Sequence, residues 1–230
     1  PITSVAMLQL YERGLFQLNA PVSTVIPAFK GLQVYSAGEG DRMETVAAQR
    51  EVTFRDLLTH TAGFVYGTSG THPLDNVYRE RKLLTGSLDE MIAKVSTLPL
   101  LFSPGTRWNY SLATDILGYL VEQLAGQSLD QYFAEQILGP LGMVDTGFFV
   151  PAANQSRFAA NYSFHEGGFR RIDNPAESPY LQPPTFRSGG GGLVSTCADY
   201  FRFAQMLLNR GELEGVRILG RKTVELMTTN

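Results

Sequence analysis

Few side chains in this 230-residue sequence have the types and spacing that metal, redox or phosphate chemistry requires. His60, His72 and His165 are scattered without metal-ligand spacing, which argues against a zinc site. The single cysteine, Cys197, excludes an internal disulfide and a CxxC pair, and with no base beside it in sequence it is interpreted as a small buried residue. The glycine run 189–192 is not followed by the Gly-Lys-Ser/Thr of a phosphate-binding loop, so it favours close backbone packing.

Composition and charge exclude several classes of protein. Apolar residues make up 43% of the chain and charged residues 18%, so the chain can bury a core and is not disordered as a whole. The formal net charge of −3 argues against nucleic acid and against an anionic membrane surface as partners. The longest apolar stretches are far shorter than a membrane-spanning helix.

Hydrophobic spacing predicts a mainly helical chain with a minor β component. Apolar positions recur at helical intervals, and several of these segments open on a capping residue. The predicted helices begin near Ile2, Thr53, Ser87, Leu112, Ser128, Thr196 and Arg221. Residues 36–50 and 63–86 are predicted to be loops, and Gly167-Gly168 is predicted to turn a hairpin.

The two ends of the sequence predict that the chain is a fragment. It begins with Pro1 rather than methionine and enters a helical pattern at once, with no signal-peptide pattern before that helix. It stops at Asn230, just as a helical run from Arg221 is closing. Targeting information is expected in a part before Pro1. The localisation stays open, because a single cysteine permits the cytoplasm while a periplasmic or secreted protein is the alternative.

Five short segments together resemble the serine β-lactamase and penicillin-binding-protein superfamily, in its class C-like esterase branch. Each segment alone is a weak signal, but all five occur in the order of the family and cover nearly the whole chain. They are Pro1-Ile2-Thr3-Ser4-Val5, Leu57-Leu58-Thr59-His60-Thr61-Ala62-Gly63, Pro104-Gly105-Thr106-Arg107-Trp108-Asn109-Tyr110-Ser111, Gly139-Pro140-Leu141-Gly142-Met143 and Gly189-Gly190-Gly191-Gly192-Leu193-Val194-Ser195-Thr196.

The resemblance implies an α+β fold of the β-lactamase/transpeptidase type. In that fold an antiparallel sheet flanked by helices meets an all-helical domain, and the active site lies between them. Residues 1–230 are then one incomplete serine hydrolase domain, mainly the helical domain with minor β-structure. An N-terminal Ser-x-x-Lys segment and the C-terminal sheet would lie outside the chain. The resemblance implies no cofactor and no metal.

The nucleophile that the resemblance implies is missing from the sequence. In the superfamily a Ser-x-x-Lys motif opens a helix, which places the serine and the lysine one turn apart on the same face. None of the serines in this chain is followed three residues later by a lysine. In relatives that lysine directly precedes a segment like Pro1-Ile2-Thr3-Ser4, so truncation explains the missing pair better than a natural loss does.

Tyr110 is the catalytic residue that the resemblance implies, because it matches the tyrosine-motif position in a turn just before a helix. A phenol titrates near pH ~10, so it relays protons at neutral pH only beside a cationic lysine. Tyr110 is therefore expected within a side chain's reach of the N-terminus of the first helix. Tyr66, Ser111 and Gly190 are the predicted substrate-binding residues.

The other motif-like strings receive structural interpretations. Lys222-Thr223-Val224 lacks the glycine of a Lys-Thr-Gly motif. His165-Glu166-Gly167 precedes the glycine run, whereas the third motif of the family follows it, so a hairpin turn is favoured. His60 is interpreted as a hydrogen-bonded structural residue, and Trp108 and Tyr66 as core or pocket wall.

Cleavage of esters by a serine hydrolase, through an acyl-enzyme, is the function that the resemblance implies. The partner is a small-molecule ester or amide, and the chain alone is expected to be inactive. Leu112 stands where β-lactamases carry an asparagine, so the amide that would bind a β-lactam side chain is missing. A β-lactamase and a D-amino-acid peptidase stay open, because they use the same acyl transfer. The alternative from a different class is a non-catalytic binding protein on the same scaffold.

Overall fold

The computed structural model describes residues 1–67, 72–165 and 167–229. Within these ranges the chain forms eight α-helices and three two-stranded antiparallel sheets. The helices are α1 (Ile2–Glu12), α2 (Phe54–Leu58), α3 (Pro73–Glu80), α4 (Leu88–Val95), α5 (Ala113–Ala125), α6 (Leu129–Phe133), α7 (Cys197–Leu208) and α8 (Arg221–Thr228). The strands are β1 (Gln33–Ala37) with β2 (Glu44–Ala47), β3 (Asn161–His165) with β4 (Gly168–Asp173), and β5 (Glu212–Leu213) with β6 (Val216–Arg217). The prediction of a mainly helical chain is confirmed, at 41% helix and 13% strand.

Helix α5 lies at the centre of the fold, in contact with α1, α2, α4 and α6. Helix α1 is apolar on almost every side, which is typical of a helix enclosed by its neighbours. The buried residues of α1 are Ile2, Thr3, Val5, Ala6, Met7, Leu8, Gln9 and Leu10. Since each fully buried leucine or isoleucine contributes about 1.5–3 kcal/mol, this packing fixes α1 against α5. The N-terminus of α1 and the start of α5 are therefore held in one rigid frame.

Capping side chains begin α2 and α4 where the sequence predicts, whereas the predicted cap Ser128 of α6 makes no capping hydrogen bond. The Thr53 hydroxyl accepts from the amide of Asp56, while the Asp56 carboxylate accepts from the amide of Thr53, which closes a capping box before α2. Ser87 and Glu90 form the same box before α4. Gly126 ends α5 at a φ of +68°, a conformation that favours glycine. These predicted boundaries are confirmed because each depends on local sequence.

Two segments predicted as loops contain regular structure. The segment 36–50 holds the end of β1 and all of β2, and the predicted loop 63–86 holds α3. Pro73 opens α3 at its first helical position, where a missing N–H costs nothing, and His72 caps the helix. The loop prediction is therefore wrong for α3, while residues 68–71 lie outside the described ranges.

The hairpin turn at Gly167-Gly168 is confirmed, because β3 and β4 pair across it and Gly167 has a φ of +82°. The string His165-Glu166-Gly167 is described only in part, since Glu166 lies outside the described residues.

The prediction that Cys197 is buried is wrong, because this residue opens α7 on its solvent side and is exposed. Within the described ranges no helix is long and apolar enough to cross a membrane.

The carboxylate of Asp56 joins α2 to the segment before it. Asp56 is 3% exposed and accepts two hydrogen bonds from Arg50, at 2.6 and 2.8 Å. Burial alone would raise the pKa of Asp56, but the hydrogen bonds from Arg50 and Thr53 outweigh it and hold the pKa below its usual value. The hydroxyl of Thr61 also donates to Asp56. The network thus fixes the turn that carries His60.

Replacing Asp56 by asparagine is expected to lower the free energy of unfolding by about 2–3 kcal/mol at pH 7, because the charge-assisted bonds to Arg50 and the capping box are weakened. The folded-state pKa of Asp56 is depressed, so its contribution is complete above the unfolded-state pKa and is lost as the pH falls through the folded-state pKa. The difference in the free energy of unfolding between wild type and variant, measured by urea unfolding, should therefore be smaller at pH ~3 than at pH 7. Asp89→Asn, at an exposed position in the first turn of α4, is the control. An equal loss of unfolding free energy in Asp56→Asn and Asp89→Asn would contradict the stabilising role of the Asp56 network.

Candidate active site

The Tyr110 turn is fixed by backbone hydrogen bonds to the segment that follows α2. The amide of Gly105 donates to the carbonyl of Thr61 at 2.8 Å, and the amide of Asn109 donates to the carbonyl of His60 at 2.9 Å. The Asn109 side chain donates to the carbonyl of Phe64, also at 2.9 Å. These bonds hold residues 60–66 and 103–112 side by side, so the rings of His60, Tyr66, Trp108 and Tyr110 form one cluster.

Tyr110 presents a free hydroxyl in that cluster. Its side chain is 56% exposed, and within the described ranges its hydroxyl makes no hydrogen bond. The ring stacks on Tyr66, with centroids 5.6 Å apart and planes 11° apart, and lies 5.0 Å from the ring of His60. Of the two interpretations of Trp108, core is wrong, since its side chain is 67% exposed at the edge of this cluster, and pocket wall stays a prediction. The sequence-predicted residues Tyr66 and Tyr110 are thus brought into direct contact.

Tyr66 and His60 are both held neutral at pH 7. Burial, with smaller contributions from the charges of Asp115 and Tyr110, raises the pKa of Tyr66 to about 12. Burial lowers the pKa of His60, whose Nδ1 lies 3.5 Å from the hydroxyl oxygen of Ser111. Tyr66 is therefore a hydrogen-bond donor rather than a base, and His60 carries no charge toward the tyrosine pair.

Ser111 is buried, unlike its neighbour in sequence Tyr110. Its side chain is 2% exposed, and its oxygen accepts from the amide of Ala113 at the start of α5. The local geometry gives Ser111 a role in beginning the helix and in supporting His60. Its predicted role in substrate binding stays a prediction.

A glycine-rich loop, Ser188–Gly192, packs directly against α5. A Cβ atom added at Gly189 would lie 2.5 Å from the carbonyl oxygen of Thr114 and 3.1 Å from the Cα of Gly118. A Cβ at Gly190 would lie 2.8 Å from Oδ2 of Asp115. The interpretation of close backbone packing is confirmed, because a side chain at either position would collide with α5.

Asp115 is a functional candidate that the sequence analysis missed. It lies in the first turn of α5, is fully buried, and accepts from the Ser188 hydroxyl at 2.5 Å and from the amide of Gly190 at 3.1 Å. Burial raises its pKa, and the hydrogen bonds from Ser188 and Gly190 act in the opposite direction. The available signal was a carboxylate on the otherwise apolar stripe of α5, since charged residues are rarely buried without a partner.

The glycine-rich loop also forms one wall of a cavity beside the start of α1. The cavity measures about 180 Å³, and its other walls include Pro1, Thr3, Thr146 and Tyr200. The hydroxyl of Thr3 donates to the carbonyl of Gly189 at 2.6 Å, which ties α1 to the loop. Gly190, predicted to bind substrate, lines this cavity, whereas Tyr66 and Tyr110 do not. Across the described residues, no group of three or more His, Cys, Asp and Glu side chains could hold a metal ion.

Comparison with known proteins assigns the family. The family model described as Beta-lactamase matches residues 1–230, the whole of the chain. The chain belongs to the β-lactamase family. Protein Rv1367c of Mycobacterium tuberculosis (strain ATCC 25618 / H37Rv) is 39% identical to it over 230 residues, which are 100% of this chain and 57% of that protein. Esterase EstB of Burkholderia gladioli is 32% identical over 223 residues, covering 88% of this chain and 53% of the esterase.

A solved structure extends the comparison to the fold. EstCE1, described as a hydrolase with promiscuous acyltransferase activity, superposes with a TM-score of 0.78 at 26% identity, covering 98% of this chain and 60% of that protein. The fold of this β-lactamase family member is therefore β-lactamase/transpeptidase-like, and its place in the serine hydrolase and acyltransferase superfamily is confirmed. The chain spans about half the length of the curated relatives it matches.

Proposed function

We propose that this chain is part of a serine hydrolase that cleaves carboxylic esters through an acyl-enzyme, with Tyr110 as the proton-relaying residue. One observation carries the proposal: the tyrosine of the family motif presents a hydroxyl with no hydrogen-bond partner in the described structure, on a ring held by Tyr66 and His60. A proton relay needs a hydroxyl that is free to bond to the reacting groups and a ring that is held in place. Tyr110 meets both requirements.

The proposal assigns the nucleophile to residues outside this chain, because no serine here is followed three positions later by lysine. We use the term complete enzyme for a protein that contains these 230 residues together with a Ser-x-x-Lys helix before Pro1. In it, Pro1 would follow the lysine. The Thr3 contact with Gly189 would then place the lysine end of that helix beside the glycine-rich loop.

The reaction proceeds in two acyl transfers. The serine oxygen bonds to the ester carbonyl carbon while its proton passes to the lysine, and the alcohol leaves with a proton that Tyr110 relays. Water then attacks the acyl-enzyme and gives up a proton through the same groups, which releases the carboxylic acid and restores the serine. Since Tyr66 stays protonated, the pair can pass one proton through Tyr110 without a second base competing for it.

An ester is preferred over a β-lactam as substrate because of Leu112. This residue caps α5 and is fully buried, so it offers no amide to a β-lactam side chain. The description of EstCE1 as a hydrolase with acyltransferase activity supports an alcohol as an alternative acceptor to water. A β-lactamase, a D-amino-acid peptidase and a non-catalytic binding protein are the competing functions.

We expect the complete enzyme to hydrolyse p-nitrophenyl esters and residues 1–230 alone to give no turnover above the buffer rate. Nitrocefin turnover by the complete enzyme should be at least ~100-fold slower than ester turnover, since losing one well-placed polar contact costs about 3 kcal/mol. Nitrocefin turnover faster than ester turnover would favour the β-lactamase. Ester binding without turnover would favour the binding protein.

A further inference from the structure

We propose that Asp115 is a positioning residue of the acyl-transfer site, whose carboxylate ties the glycine-rich loop to the helix that follows Tyr110. The inference rests on the proposed function. Asp115 itself touches neither the proposed nucleophile nor the ester, and it acts through the backbone that it holds.

The carboxylate organises most of the glycine-rich loop. Its Oδ1 accepts both from the Ser188 hydroxyl and from the amide of Gly190. The oxygen of Ser188 in turn accepts from the amide of Gly191 at 3.1 Å, and its carbonyl accepts from the amide of Gly192. Four of the five residues 188–192 are therefore linked, directly or through Ser188, to one side chain of α5, while Thr3 of α1 holds Gly189.

The second oxygen of the carboxylate, Oδ2, takes no part in this network. Oδ2 is buried and, among the described residues, accepts no hydrogen bond. A buried polar atom left without a partner costs about 1–3 kcal/mol, so Asp115 lowers the stability of the fold at Oδ2 while it holds the loop through Oδ1. Oδ2 lies close to Gly190, since a Cβ added there would be 2.8 Å from it. The carboxylate therefore also limits how closely the loop approaches α5.

The charge of the same side chain also acts on one of the two stacked tyrosines. The charge of Asp115 contributes to the raised pKa of Tyr66, after burial and before the smaller contribution of Tyr110. From the loop side, the groups that face the carboxylate are a hydroxyl and an amide, neither of which is charged. Asp115 thus holds Ser188 and Gly190, which line the cavity beside Pro1, and its charge also acts on Tyr66. A shift of about 1 Å of the glycine-rich loop relative to the tyrosine pair can lower the rate up to about 100-fold.

The test compares Asp115→Ala, Asp115→Asn and Ser188→Ala in the complete enzyme. Alanine removes the tether, whereas asparagine keeps an acceptor oxygen for Ser188 and Gly190. We expect Asp115→Ala to lower kcat about 10–100-fold with KM within about 3-fold, and Asp115→Asn to recover most of the loss. The double variant Asp115→Ala/Ser188→Ala should have a kcat close to that of Asp115→Ala alone, because the two substitutions break the same tether. Glu122→Gln, which alters another carboxylate of α5 that accepts from the amide of Leu129, is the matched control and should leave kcat unchanged.

Amide exchange of Gly190, followed by NMR, separates the tether from the chemistry. Gly190 should exchange at least ~10-fold faster in Asp115→Ala than in wild type, and close to the wild-type rate in Asp115→Asn, since only alanine loses the acceptor. Unchanged exchange in Asp115→Ala would overturn the tether. Faster exchange with unchanged kcat would overturn the positioning role. If wild type hydrolysed no ester, the proposed function and the catalytic half of the inference would both fail, and exchange would still decide the tether. Should Asp115→Ala not fold, Ser188→Ala carries the kcat measurement, and faster exchange of the Gly191 amide, which donates to the Ser188 oxygen, replaces the Gly190 measurement.

Discussion

Replacing Tyr110 by phenylalanine is expected to lower kcat for ester hydrolysis by the complete enzyme about 10²–10⁴-fold, the range of a positioned general acid or base. This is a barrier increase of about 3–5 kcal/mol. The melting temperature should change little, because the hydroxyl makes no hydrogen bond in the described structure and the ring still stacks on Tyr66. KM should stay within a few-fold, since the hydroxyl acts mainly in the transition state.

Tyr162→Phe is the matched control for this variant. Tyr162 is 54% exposed, close to the exposure of Tyr110, but lies on β3 in the hairpin. Its loss of a hydroxyl should leave both kcat and the melting temperature unchanged. A Tyr110→Phe enzyme with kcat within a few-fold of wild type would show that Tyr110 is a packing residue.

Replacing Gly189 by alanine is expected to destabilise the chain by about 1–3 kcal/mol, the usual cost of forcing an extra carbon into a packed site. The new Cβ would meet the carbonyl oxygen of Thr114 at 2.5 Å, and the backbone cannot yield as a flexible side chain would. The loop should therefore move away from α5, and the complete enzyme should lose most of its activity as the cavity beside Pro1 changes shape.

Gly191→Ala tests the same loop without the collision. A Cβ at Gly191 would have no atom within 4 Å. The free energy of unfolding of Gly191→Ala should therefore stay within about 0.5 kcal/mol of the wild-type value. Urea unfolding of both variants measures the difference. Equal tolerance at the two positions would contradict the close packing of the loop on α5.

The helices that local signals specify were predictable from the sequence. Thr53 and Ser87 each begin a capping box with an acid three residues later, and Gly126 supplies the left-handed end of α5. Helix α3 was missed because Pro73 is typical of a loop as well as of a first helical turn. Strand β2 was missed because all four of its residues are exposed, which removes the alternating pattern that predicts a strand.

The candidate site was predictable only in part. Family motifs indicate Tyr110 and the glycine run, because each motif is continuous in sequence. Asp115 could not be found in this way, since its partners Ser188 and Gly190 lie 73 and 75 residues further along the chain. The exposure of Trp108 and Cys197 likewise depends on which faces of the fold are covered, and hydrophobicity does not determine this for single residues.

The most direct test of the proposed acyl-enzyme mechanism is to map the serine that a fluorophosphonate probe labels in the complete enzyme. The reagent phosphonylates activated serines, so digestion and mass spectrometry identify the nucleophile by its peptide. The mechanism predicts one labelled serine, in a Ser-x-x-Lys sequence outside residues 1–230, with labelling slowed by Tyr110→Phe. Stoichiometric labelling of a serine within these 230 residues, or labelling that Tyr110→Phe leaves unchanged, would contradict it.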